Sequence, residues 1–261
     1  MTHSHFMGVK KKVVLVTGGG KGVGRGITER FLASGYDVVI CGREAPKKLP
    51  KTDGHSATFI KTDVREAAAR EGLFAEISKR YGRLDVLVNN AGGSPYALSD
   101  KASPRFHESI IQLNLLAPLH LAQKANAIMQ SQGEGGVIVF IASVSALRPS
   151  PGTAAYGAAK AGIVNLTQSL AVEWAPKVRV VAISPGLVRT EQSAQHYGDA
   201  KGIAAVSATV PLGRLAEPAE IGEACVWLCS PAAAYASGTN LVLQGGGETP
   251  AFLAAAVVNR P

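Results

Sequence analysis

Residues Lys11–Gly35 read KKVVLVTGGGKGVGRGITERFLASG. An apolar, β-branched run passes through a cluster of glycines into a helical pattern near Val23 to Ser34. Strand, tight turn and helix follow one another with nothing between them. Glycines let a backbone approach a ligand closely, and the first turn of a helix offers N–H groups that have no partner within the helix. The unit therefore suits a pyrophosphate, although a glycine-rich turn can also be purely structural. The spacing is T-G-x-x-x-G-x-G through Gly18, Gly22 and Gly24, with Lys21 and Val23 set among them. It gives neither the G-x-G-x-x-G fingerprint nor G-x-x-x-x-G-K-[ST], and the absence of the latter argues against an NTPase.

Working outward, the same alternation repeats. YDVVICG, ATFIKTDV, LDVLVNNAG, GVIVFIAS, VRVVAISPG and NLVLQGG read as six further strands. Helical patterns lie between them over residues 66–81, 106–130 and around Tyr156. Strands that are apolar throughout, separated by helices, predict a parallel sheet covered on both faces. The expected architecture is α/β, a doubly wound Rossmann sheet of about seven strands in one domain over residues 11–261. Residues 187–215 lack a clear strand and are expected to form a mobile lid over the site.

At 261 residues and 46% hydrophobic content, the chain suits one large α/β domain. No apolar run is long and unbroken enough for a bilayer span. The start, MTHSHFMGVKKK, lacks the apolar core of a signal peptide. Residues 1–10 are expected to be disordered, and the protein to be cytoplasmic with no membrane partner. The net charge of +8 raises nucleic-acid binding as a reading. Much of the excess sits in short clusters, Lys10–Lys12 and Lys47, Lys48 and Lys51, with no basic stripe interleaved with aromatics. An anionic cofactor explains the balance better, and no nucleic-acid partner is expected. Cys41, Cys225 and Cys229 are too few and too ill placed for a disulfide framework, and no metal site is expected.

The run AAYGAAKAGIVNLTQSL places Tyr156 and Lys160 four residues apart, hence on one helical face. A free tyrosine titrates near about 10. A neighbouring cation lowers that value and brings the phenol toward acid–base work at neutral pH. Ser143 ends the strand pattern GVIVFIAS thirteen residues upstream of Tyr156, where a hydroxyl can hold a substrate oxygen.

Five ordered motifs now coincide: TGGGKGVG, the N-N-A-G of Asn89–Gly92, Ser143, Tyr156-x-x-x-Lys160 and PGLVRT at Pro185–Thr190. Together they resemble the classical short-chain dehydrogenases/reductases over nearly the whole chain, from about Lys11 to Gly247. The resemblance implies that Tyr156 is the general acid in reduction and the base in oxidation. Lys160 would lower its pKa and hold the nicotinamide ribose, Ser143 would bind the substrate oxygen, and Asn114 would support a water-borne proton relay. Gly18, Lys21, Gly22, Val23 and Gly24 would cradle the cofactor. Asp63, with Val64, would contact the adenine, though a strand-end cap is the alternative reading of Asp63. Asn90, Ala91 and Gly92 would line the adenosine side, and Pro185, Gly186, Val188 and Thr190 would border the nicotinamide.

Arg43 stands just after the second strand, where an acidic residue grips the ribose in NAD enzymes. With Lys21 it suits a 2′-phosphate. The expected cofactor is NADP(H), with NAD(H) the alternative because Glu44 is adjacent. Val181 and Gln244 stand where many relatives carry asparagine and aspartate. Ser145, Leu147, Arg148 and Gly152 are expected to face the substrate, and Arg148 either to meet an anionic group or to be simply an exposed arginine. The expected reaction interconverts a ketone and a secondary alcohol, the substrate a 3-oxoacyl thioester or, alternatively, a cyclic or steroid-like ketone. A non-catalytic NADP-binding regulator is the rival class. Small and apolar residues on the helices at 106–130 and 153–175 suggest a homodimer or homotetramer.

Overall fold

A computed structural model describes residues 11–255; the expected disorder of residues 1–10 lies outside the described residues. Seven strands form the central sheet: β1 (Val13–Thr17), β2 (Asp37–Gly42), β3 (Thr58–Lys61), β4 (Val86–Asn89), β5 (Gly136–Ile141), β6 (Val178–Pro185) and β7 (Asn240–Leu243). All pair in parallel, in the order β3-β2-β1-β4-β5-β6-β7. The order reverses between β1 and β4, which opens a crevice at the strands' carboxyl ends.

The helices are α1 (Gly22–Ala33), α2 (Ala67–Tyr81), α3 (Pro104–Ile111), α4 (Ala117–Ser131), α5 (Ala154–Trp174), α6 (Ser193–Tyr197), α7 (Ala200–Ala208), α8 (Pro218–Cys229) and α9 (Ala251–Ala255). Strand side chains alternate between the two faces, so each strand feeds two cores. Val13, Leu15, Leu87 and Phe140 pack with Leu73 and Ile77 of α2, Leu121 and Met129 of α4, and Ile163 of α5. Val14, Val16, Val88 and Val139 pack with Ile27 and Phe31 of α1 and with Ile221 and Leu228 of α8. A sheet buried on both faces cannot show polar alternation, which is why its strands read as continuous apolar runs.

Val181 is fully buried in the second core. The three cysteines are free and buried; burial pushes the Cys41 and Cys229 thiols up to about 12. They behave as small apolar groups. Among the described residues no helix is long and apolar enough to cross a membrane.

One expectation needs correction. The helical stretch 106–130 starts earlier, at Pro104, with Ser103 as its cap. It also contains a π turn, Gln112–Leu116, between α3 and α4. The stretch 187–215, expected as a lid, carries α6 and α7. It is tied to the body by a bridge between Val188 and Ala216 and by the Leu212 N–H, which donates to the Gly245 carbonyl at 3.1 Å.

Candidate active site

β1 delivers the glycine-rich turn to the crevice. The Gly18 N–H donates to the Cys41 carbonyl at 2.8 Å, which locks the start of the turn to the end of β2. Gly18 sits in left-handed backbone at φ 66, a conformation glycine adopts without strain. A methyl group at Gly24 would overlap the Gly18 carbonyl oxygen and lie 2.5 Å from Asn90 Nδ2. The turn therefore folds tightly over the first residues of α1, with Val23 beside it. This cradle has the shape and the free N–H groups that suit a dinucleotide phosphate.

Thr17, which sequence reading passes over, fastens the next wall. Its hydroxyl accepts from the N–H groups of Asn90 at 3.0 Å and Ala91 at 2.9 Å, and Asn90 Nδ2 donates back to the Thr17 carbonyl at 2.9 Å. The ends of β1 and β4 are thereby held side by side. The only sequence signal was a hydroxyl residue closing a strand before the glycines.

Gly92 then packs against the catalytic candidates. A Cβ there would lie 2.6 Å from Asn114 Oδ1 and 3.4 Å from Lys160 Nζ. Asn114 occupies the π turn and is fully buried. Its Oδ1 accepts from the Gly93 N–H at 2.9 Å, and its Nδ2 donates to the carbonyls of Gly93 at 3.0 Å and Ile110 at 2.9 Å. Both ends of the amide are thus taken up by protein groups.

Ser143 lies just past β5 and caps a short 3-10 turn, its Oγ accepting from the Ser145 N–H at 3.1 Å. α5 brings Tyr156 and Lys160 to the same place. Lys160 Nζ lies 5.5 Å from the Tyr156 ring centre and donates to the Ile141 carbonyl at 2.7 Å. Burial lowers the Lys160 ammonium to about 8. That charge costs stability below about pH 8, and the cost fades as pH rises toward the ordinary lysine value, because the unfolded chain then binds the extra proton.

The spacing argument expected a depressed tyrosine, and the structure reverses the direction. Burial raises the Tyr156 phenol above its ordinary value, while the Ser143 hydroxyl pulls more weakly the other way.

At the other end of the crevice β2 stops at Gly42, so Arg43 is the first side chain beyond it, exposed like Lys21 and Glu44. Asp63 is paired with Arg65. Arg65 grips it through two side-chain bonds of 3.0 and 2.6 Å and holds it below the usual carboxylate range, with Arg43 a minor contributor. Val64 is buried in the first core.

Pro185 closes β6, and the Gly186 N–H donates to the Leu243 carbonyl at 2.8 Å. Thr190 stands against the glycine-rich turn, its Cγ2 3.5 Å from where a Gly22 side chain would begin. The next residue, Glu191, was not foreseen. Its Oε1 accepts from the Gly22 N–H at 3.0 Å, so a carboxylate from the 187–215 segment sits on the first turn of α1.

Arg148 Nη2 donates to Glu248 Oε1 at 2.6 Å, and both side chains are partly exposed. Of the sequence candidates, Ser143, Tyr156, Lys160, Asn114 and Gly92 come together at the ends of β4 and β5. Arg43 and Asp63 gather at the ends of β2 and β3.

A family model described as "Enoyl-(Acyl carrier protein) reductase" matches residues 18–248. The chain is 34% identical to a "Probable 2,4-dienoyl-CoA reductase [(2E)-enoyl-CoA-producing]" of Bacillus subtilis, covering 91% of this chain and 97% of the relative. It is 33% identical to a 3beta-hydroxysteroid dehydrogenase 1 of Eggerthella lenta, over 91% and 94%. Its structure is similar to that of the aldohexose dehydrogenase of Thermoplasma acidophilum in ligand-free form, with TM-score 0.85 and 29% identity over 97% and 98% of the two chains.

Proposed function

We propose the reaction from a premise that the comparisons establish: this chain belongs to the short-chain dehydrogenase/reductase family, whose members are oxidoreductases using a nicotinamide nucleotide. The reading is an NADP(H)-dependent interconversion of a ketone and a secondary alcohol. One observation carries it: a hydroxyl, a phenol and an ammonium converge from two segments, with Ser143 at Tyr156 and Lys160 Nζ 5.5 Å from the phenol ring.

When bound, the nicotinamide supplies or accepts the hydride. The glycine-rich turn would hold its phosphates and Lys160 its ribose. Ser143 would orient the substrate oxygen, on which negative charge develops. A phenol raised by burial stays protonated at neutral pH, which is the form that gives its proton to that oxygen. The Lys160 ammonium would then stabilise the phenolate left behind. Asn114 would act as a positioning residue, clamping Gly93 and with it the loop beside Lys160.

For the substrate, a 3-oxoacyl thioester is favoured by the acyl-thioester chemistry named for two of the matches, and a cyclic ketone by the hydroxysteroid relative. NADPH oxidation followed by absorbance against both classes tests the reading, and a chain that binds NADPH but turns over neither class would instead be a regulator. Exposed Val172 on α5 (81%) and Leu116 beside α4 (37%) support pairing of these helices between copies, as a homodimer or homotetramer.

Arg43 and Lys21 at the two sides of the turn support NADP(H) over NAD(H). Arg43→Ala is expected to weaken NADPH binding by about ten-fold, with NADH changed less than about two-fold, in a fluorescence titration. Equal loss of both would remove the 2′-phosphate argument. Glu191 competes with a phosphate for the Gly22 N–H. Glu191→Gln is therefore expected to tighten binding of either nucleotide by about two- to five-fold, and unchanged dissociation constants would show that the carboxylate yields without cost.

A further inference from the structure

Next to Val144, the residue after Ser143, lies a small cavity of about 40 Å³, lined by Val144, Leu187 and Val210 and by Arg148 and Glu248. Its walls come from three separate segments: the turn after β5, the 187–215 segment and the chain after β7. Glu248 reaches it through three consecutive glycines, Gly245–Gly247, in left-handed backbone at φ 63, 95 and 92. The chain is held there by the Thr249 N–H, which donates to the Thr209 carbonyl at 3.1 Å. Arg148 Nη1 donates to its neighbour's carbonyl, Pro149, at 3.0 Å, and Nη2 to Glu248 Oε1 at 2.6 Å. Tyr197 of α6 lies close enough to feel both charges, which push its phenol in opposite directions. An ion pair is thus assembled in the wall of this cavity, from residues a hundred positions apart.

We propose that the Arg148–Glu248 pair sets the charge selectivity of this cavity, so that the substrate is an uncharged ketone or alcohol around the reacting carbon. The proposal rests on the oxidoreductase reading above. Glu248 occupies the guanidinium that a substrate carboxylate would need, and any such carboxylate must either displace it or lie beside it unpaired. Selectivity by an unfavourable contact with the wrong ligand needs no new contact with the right one. The pair is partly open to water, at 38% and 39% exposure, which limits the size of the effect.

The test uses two small ketones with the same reacting group, acetoacetate and its ethyl ester. Their binding to the full chain in the presence of NADP⁺ is followed by ligand-observed NMR. Glu248→Gln is expected to tighten acetoacetate by about five-fold and to leave the ester within about two-fold. Arg148→Gln breaks the same pair but offers no free cation, so it should show no gain for acetoacetate. A pair that merely latches the C-terminal segment would weaken both ligands alike in both variants. That result, or an absence of gain in a Glu248→Gln protein that melts like the parent, overturns the proposal. Because binding is read without turnover, failure of this proposal is distinguishable from failure of the oxidoreductase reading, which NADPH oxidation tests separately.

Discussion

Tyr156→Phe is expected to lower the turnover of ketone reduction by about 10²- to 10⁴-fold, the usual worth of a positioned general acid. Phenylalanine fills the same space on α5 and keeps the packing, so nucleotide binding should change by less than about two-fold. The Ser143 hydroxyl loses a neighbour, at a cost of about 1 kcal/mol, which a thermal melt would register as a small shift. A variant that kept full rate would remove Tyr156 from the mechanism.

The pH profile of the parent carries the matching signature. Kinetics in cofactor report the groups of the free enzyme, and there the group nearest neutrality is Lys160, lowered to about 8 by burial, while Tyr156 lies above its ordinary value. kcat/KM for NADPH should therefore fall as pH rises through about 8, where the ammonium is lost. An inflection only near pH 10 or above would mean that Lys160 keeps its charge throughout.

The second large effect is at Gly24→Ala. Glycine to alanine inside a helix ordinarily stabilises by about 0.5–1 kcal/mol. Here the sign should reverse, because the added methyl would overlap the Gly18 carbonyl oxygen and crowd Asn90 Nδ2 at 2.5 Å. Overpacking against backbone costs about 1–3 kcal/mol, and the displaced part is the turn that shapes the phosphate cradle. Denaturant unfolding should show the loss, and nucleotide titration should show binding weakened beyond detection or nearly so. Gly72→Ala serves as the control: it lies in α2 with nothing within 4 Å of the added carbon, and it should stabilise. If both variants behaved alike, the close approach at Gly24 would not matter.

The strands were legible because each is apolar on both faces, and only a sheet covered by helices on both sides demands that. The π turn at Gln112–Leu116 was not legible, since one extra residue per turn leaves the helical pattern of QLNLLAP unbroken. Ser143, Tyr156 and Lys160 stood out by residue type and spacing. The direction of the tyrosine shift did not, because spacing places the cation but does not report how much water either group keeps. Asp63 was found at its place, yet its engagement by Arg65 depends on a rotamer, and Thr17 offered only a common residue type.

By itself, then, the sequence determined the doubly wound sheet, the glycine-rich turn and the grouping of Ser143 with Tyr156 and Lys160, while Asn114 and Gly92 were reached through the family resemblance. Period and local spacing encode the individual strands, the turn and the Tyr156–Lys160 pair, each within a short stretch of chain. Only the tertiary structure decided that Glu191 lies on Gly22, 169 positions away, and that Arg148 is claimed by Glu248, 100 positions away. Such contacts are made between surface side chains of segments whose approach is fixed by the packing of the whole sheet. No periodicity records them, because the core residues that bring the segments together are not the residues that touch.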